Sequence, residues 1–122
     1  MLDHLGLRSR DVTRSLRFYQ AALEPLGYRV EYHEGDSAGL GAPGAPRLWL
    51  GTGDAPSSVH LALVAPSLKA VDGFHAAALA AGATDNGRPG LRADYGTGYY
   101  AAFVIDPDGN NLEAVFHDKG LS

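Results

Sequence analysis

A chain of 122 residues, 45% hydrophobic and 20% charged, is long enough for one domain with a real core and too short for two ordinary ones. A net charge of −4 with no basic run argues against nucleic-acid binding, and the absence of cysteine excludes disulfides, thiolate metal sites and cysteine nucleophiles. No apolar run approaches the roughly 18 residues that span a bilayer, and the N-terminus shows no signal-peptide pattern, so a cytoplasmic protein with no membrane partner is expected.

In chain order, "DHLGLRSR" from Asp3 reads as a strand. A helix follows, capped by Asp11, with Val12, Leu16, Tyr19 and Leu23 at helical spacing, and Pro25 and Gly27 mark its end. Short strands are expected at Tyr28 to Gly35, Ser37 to Ala42 and Arg47 to Gly51, bounded by glycine and proline. A polar, glycine-rich linker covers about residues 52–58. "VHLALVAP" from Val59 opens a second series. Ser67 caps its helix, Val71, Phe74, Ala78 and Ala81 form the apolar stripe, and Gly82 stops it. Gly73 inside that helix costs about 1 kcal/mol against alanine, which suggests a close packing contact there. A weaker strand near Ala83 to Asn86 is expected, then a glycine-rich loop through Gly98. Strands at Tyr99 to Ile105 and Asn111 to Phe116 flank "DPDGN", a strong turn signal whose aspartates lack the spacing of a calcium loop.

The two series match at an offset of 56: His4 with His60, Leu5 with Leu61, Leu7 with Leu63, Phe18 with Phe74, and Leu23 with Leu79. Each copy reads strand, helix, three strands, with module one at about 1–51 and module two at about 59–117. Strand side chains alternate faces. Leu5 and Leu7, Leu61 and Leu63, and Leu112, Ala114 and Phe116 then face the helices, while His4, His60 and Glu113 share the opposite face. Singly, each is more often a solvated or satisfied polar residue. Together, two imidazoles and a carboxylate suit zinc, iron, manganese or nickel. His33, His75 and His117 show no comparable partners.

"DHLGL", "FYQAALEPLGY" and "GYYAAFVIDPDGNNLEAVFH" resemble the vicinal oxygen chelate superfamily: glyoxalases, bleomycin-resistance proteins, fosfomycin-resistance thiol transferases and extradiol dioxygenases. The resemblance covers nearly the whole chain and implies an α+β fold, two tandem βαβββ modules paired into a cup-shaped open barrel. It implies one divalent metal (Zn, Ni, Mn or Fe) held by His4, His60 and Glu113, with Glu113 the catalytic carboxylate. The fourth ligand position falls near Trp49, which cannot ligate, so glyoxalase I chemistry is not expected. Gly6 stands where a thiol transferase would carry a hydroxyl.

The expected function is a metal-dependent lyase or isomerase of glyoxalase-like type, acting on a small oxygenated substrate that chelates the metal through two oxygens. Trp49, Arg92, Tyr99 and Tyr100 are the candidate substrate-binding residues. The alternatives are a protein that sequesters an aromatic antibiotic, as bleomycin-resistance relatives do, and an extradiol-type dioxygenase. By the same resemblance a homodimer is expected, with each site taking His4 from one chain and His60 and Glu113 from the other.

Overall fold

The computed structural model describes residues 2–121. Module one contains β1 (Leu5–Ser9), α1 (Val12–Leu23), β2 (Arg29–Glu34), β3 (Ser37–Ala42) and β4 (Ala45–Thr52). Module two contains β5 (His60–Val64), α2 (Leu68–Ala80), β6 (Thr84–Leu91), β7 (Tyr99–Ile105) and β8 (Asn111–His117). Each module forms one four-stranded sheet, ordered β1-β4-β3-β2 and β5-β8-β7-β6. β1 runs parallel to β4, and β5 parallel to β8; the other pairings are antiparallel. The fold is α+β, two βαβββ modules whose sheets do not close into a barrel. No helix among the described residues is long and apolar enough to cross a membrane.

The helices form where the caps place them. The Asp11 side chain accepts the Arg14 amide at 3.1 Å, and Ser67 accepts the Ala70 amide at 3.0 Å. Each cap satisfies an N–H that the first helical turn leaves without a partner. Both helices bury their apolar stripes in one shared core, where Phe18, Tyr19, Leu23, Val71, Phe74 and Ala78 meet Leu40, Leu50, Val104 and Leu112. Gly73 makes the close approach expected of it, for a Cβ there would lie 3.2 Å from Pro25 Cβ. The repeat is imperfect: Leu23 is buried, whereas its twin Leu79 is 37% exposed.

β6 departs from expectation. It runs to Leu91 rather than ending near Asn86. Two register shifts, between Asp85 and Gly87 and between Gly87 and Gly90, let β6 bulge and continue along β7. The glycines and Pro89 that resemble a loop are the residues that form this irregular edge strand.

Buried polar groups in the β7–β8 turn join the modules. Asp106 accepts the Tyr19 hydroxyl from α1, along with the amides of Asp108 and Asn110. Asp108, whose side chain is 2% exposed, accepts the hydroxyls of Ser9 at 2.6 Å and Ser15 at 2.8 Å, and an Arg14 N–H at 3.1 Å. Asn110 Oδ1 accepts the Ser57 hydroxyl and the Val59 amide of the linker. Burial works to raise the Asp108 pKa. The Ser9 and Ser15 hydroxyls, the Arg10 amide and the Arg14 charge outweigh it, so the net shift is downward. A carboxyl with a lowered folded-state pKa stabilises the fold above its unfolded value, and that stabilisation is lost as pH falls through the folded value.

Replacing Asp108 with Asn turns one of its two acceptor oxygens into a donor, so either the Ser9 and Ser15 hydroxyls or the Arg14 N–H lose their acceptor, and it should cost about 3 kcal/mol in urea unfolding at neutral pH. The gap between wild type and Asp108→Asn should narrow as pH falls below the ordinary carboxylate range. A gap independent of pH there would show that the charged carboxylate contributes nothing to the link between modules.

Candidate functional site

β8 lies between β5 and β7, so its side chains are covered from both sides. Glu113 is opposite Ala62 of β5 and Phe103 of β7. Its side chain is 3% exposed and turns away from the helices, as the strand alternation requires. Oε1 lies 2.8 Å from His60 Nε2, and Oε2 accepts the Tyr99 hydroxyl. Around this group Ala101, Phe103, Val115 and Tyr99 form a small apolar cluster separate from the main core. A carboxylate desolvated this far needs compensation, and it receives an imidazole on one oxygen and a phenol on the other.

The environment fixes the role of Tyr99. Burial and the hydrogen bond to Glu113 push its pKa up to about 12. The phenol therefore keeps its proton at neutral pH. It serves as a donor that orients Glu113, not as a base. Tyr95 and His117 pack edge-on against its ring, with centroids 5.3 and 5.2 Å away.

His60 and Glu113 thus meet, as the strand faces imply, and Tyr99 joins them. His4 does not reach them. It precedes β1, with a side chain 60% exposed, and its Nδ1 lies 2.7 Å from an Asp3 carboxylate oxygen. That hydrogen bond draws the Asp3 pKa down. Nε2 of His4 makes no hydrogen bond among the described residues. His4 lines a cleft with Leu61, Ala62 and Leu63 of β5 in its own chain. Among the described residues, no three histidine, cysteine, aspartate or glutamate side chains are grouped to hold a metal ion. The donor set therefore fits a divalent cation at two points, the adjacent nitrogen of His60 and oxygen of Glu113, and lacks its third.

The remaining candidates divide. Trp49 sits on the other sheet, paired with Gly6 and Gly39, and its ring covers Gly39 so closely that a Cβ there would fall 2.8 Å from it. The Tyr32 ring lies 5.5 Å away. These two aromatics form a surface of their own, apart from Glu113. Arg92 joins the Glu113 face, for its guanidinium stands over the Phe103 ring at 5.4 Å from the centroid, and the His60 ring lies 6.2 Å from the same ring. Tyr100 points the other way. Its hydroxyl donates to Asp72 of α2 at 2.6 Å, on the helix side of the sheet, because it neighbours Tyr99 on an alternating strand.

Two features were not legible. His75 is buried on α2, with Nε2 2.9 Å from an Asp85 oxygen that also accepts the Gly87 amide, so it pins the β6 bulge. Asn86, Tyr95 and Asn111 line the cleft that contains His60, Arg92 and Phe103. The bulge that brings Asn86 to this cleft leaves no periodic signal. "ADYGTGYY" does hint at Tyr95, as an aromatic inside a glycine-rich loop.

A family model described as the glyoxalase-like domain matches residues 4–115. A search of curated proteins finds no match. Among solved structures, a glyoxalase/bleomycin resistance protein from Albidiferax ferrireducens T118 is 29% identical, with a TM-score of 0.83 over 97% of this chain and 99% of that one. A glyoxalase/bleomycin resistance protein/dioxygenase family enzyme from Burkholderia phytofirmans PsJN is 21% identical, with a TM-score of 0.74 over 95% and 98%. A glyoxalase-related enzyme from Fulvimarina pelagi is 19% identical, with a TM-score of 0.74 over 95% and 87%. The last two show the shared fold alone.

In an alkaline NMR titration of tyrosine ring carbons, one resonance should titrate with a midpoint at about 12 and vanish in Tyr99→Phe. A Tyr99 resonance that moves near 10 would mean that the phenol is neither buried nor bonded to Glu113.

Proposed function

We propose that this chain, which belongs to the glyoxalase-like domain family, is a divalent-metal-dependent enzyme of lyase or isomerase type acting on a small oxygenated substrate. The observation that supports this reading is Glu113, a carboxylate buried on the sheet face away from the core, with His60 beside one oxygen and Tyr99 bonded to the other. A buried acid on that face adds nothing to packing and costs stability unless it meets a positive charge. His60 and Glu113 would hold the cation, and His4 would complete the set. When bound, the cation supplies Lewis-acid stabilisation of charge on two substrate oxygens.

The chain's own residues supply the rest. Tyr99 donates to Glu113 and holds the carboxylate in one orientation. Phe103 and Val115 exclude water from its apolar side. Half-exposed His60 opens onto the cleft, so a substrate there would reach a cation held by His60 and Glu113. An antibiotic-sequestering protein would make use of the Trp49 and Tyr32 surface instead, and it has no need of a buried His60–Glu113 pair.

The third ligand has two possible origins. The family resemblance suggests His4 of a second copy. Within its own chain His4 lines a cleft that contains neither His60 nor Glu113, so a set drawn from one chain would require His4 to move.

Elemental analysis after dialysis should find about one divalent cation per wild-type chain. Glu113→Ala and His60→Ala should each weaken binding by about a hundredfold or more, and Tyr99→Phe by about tenfold, with the folds retained. Iron with oxygen consumption would shift the reading to an extradiol-type oxygenase. Full cation content in Glu113→Ala would remove Glu113 from the site. Co-expressing His4→Ala with Glu113→Ala separates the two origins. If sites are shared between chains, mixed dimers recover cation binding; if each set comes from one chain, they do not.

A further inference from the structure

The cleft beside His60 contains a fixed cation with no acid partner. Arg92 donates from Nη1 to the Gly90 carbonyl at 2.8 Å and from Nη2 to the Arg88 carbonyl at 2.7 Å. Its guanidinium plane is further held over Phe103, 5.4 Å from the ring centroid. Among the described residues, no carboxylate lies within ion-pair distance of it, whereas Arg14 and Arg29 each have one. A guanidinium has five N–H donors, so three remain. An arginine ordered by two backbone carbonyls and an aromatic face, with most of its donors free, is prepared for an external acceptor.

The surroundings define that acceptor. Asn111 Oδ1 accepts Asn86 Nδ2 at 3.3 Å, which leaves the Asn111 amide hydrogens available at the cleft wall. The ligand therefore meets a single positive charge and neutral amide donors. No carboxylate lines this cleft wall among the described residues. One fork-shaped cation beside neutral amide donors matches a monoanion better than a dianion. Phe103 lies between Arg92 and His60, 5.4 Å from the guanidinium carbon and 6.2 Å from the imidazole centroid. A ligand lying along the cleft beside this ring would reach both groups.

We infer that the substrate is a small monocarboxylate: its carboxylate docks on Arg92 and Asn111, its body lies along the cleft past Phe103, and its reacting oxygens face His60 and Glu113. The Arg92 end stands on its own geometry; the assignment of the other end as the reacting one rests on the function proposed above. Arg92 is then the residue that determines specificity for acids over their neutral counterparts.

The test uses metal-free full-length protein and calorimetry, so it does not depend on cation loading. The probes are 4-hydroxybenzoate, the neutral 4-hydroxybenzamide of the same shape, and 4-hydroxyphenyl phosphate as a dianion. Wild type should bind the benzoate at least tenfold more tightly than the amide and more tightly than the phosphate. Arg92→Gln should reduce the acid-over-amide preference to within twofold. Arg92→Lys keeps the charge but loses the fork, so it should retain only part of the preference. Equal binding of acid and amide by wild type, or no binding of either, overturns the inference. A preference that survives in both Arg92 variants overturns it too, and a preference for the phosphate replaces the carboxylate class with a dianion. Cation content of Arg92→Gln, measured in parallel, should equal that of wild type. An acid preference without cation binding leaves this inference standing and removes the metal reading, and the reverse result separates them the other way.

Discussion

The rest of the architecture depends on the buried carboxylates of the turn before β8. Asp106 and Asp108 gather donors from β1 and α1 of module one, and Asn110 gathers the linker. None of these polar atoms is left unpaired; no buried side-chain nitrogen or oxygen among the described residues lacks a partner. A desolvated carboxylate tolerates little displacement of its donors. The turn therefore fixes the position at which β8 enters the sheet, and β8 carries Glu113 three residues beyond Asn110. The helices secure the same relation from the other side, because both modules share one apolar core.

This arrangement separates stability from chemistry by sheet face. The helix side holds the core leucines with Phe18, Phe74 and Phe116, and it also takes Tyr100, whose hydroxyl is tied to Asp72. The opposite side of the second sheet holds Glu113, His60, Tyr99 and Arg92 around Phe103. A small apolar cluster under polar groups gives the weak dielectric in which a carboxylate, an imidazole and a phenol interact strongly. On the first sheet the corresponding face carries Trp49 over Gly39, with Tyr32 beside it donating to exposed Glu34, and no buried acid among the described residues. The two modules share a fold, but only the second buries an acid on this face among the described residues.

Period-two alternation and the internal repeat made most of this legible. Alternation places His60 and Glu113 on one face, and the parallel pairing of β5 with β8 brings their side chains together. The Asp11 and Ser67 caps, Gly73 and the "DPDGN" turn also behave as their local chemistry requires. What was hidden has a physical reason in each case. His4 precedes the first paired residue, so alternation does not control its direction, and Asp3 holds it instead. The extension of β6 and the His75–Asp85 contact depend on a bulge, which removes the periodicity by which strands are read. Tyr99 and Tyr100 are adjacent and chemically equal in the sequence; only the register of β7 on β8 decides which of them meets Glu113.

The central claim is that the buried carboxylate of Glu113 exists to hold a cation together with His60. The most direct measurement is anomalous diffraction from crystals equilibrated with manganese or zinc at a concentration that saturates the protein in solution. The account predicts one strong anomalous peak within bonding distance of both His60 Nε2 and Glu113 Oε1. It is contradicted if the cation binds elsewhere, or if His60 and Glu113 keep their direct contact with no peak between them.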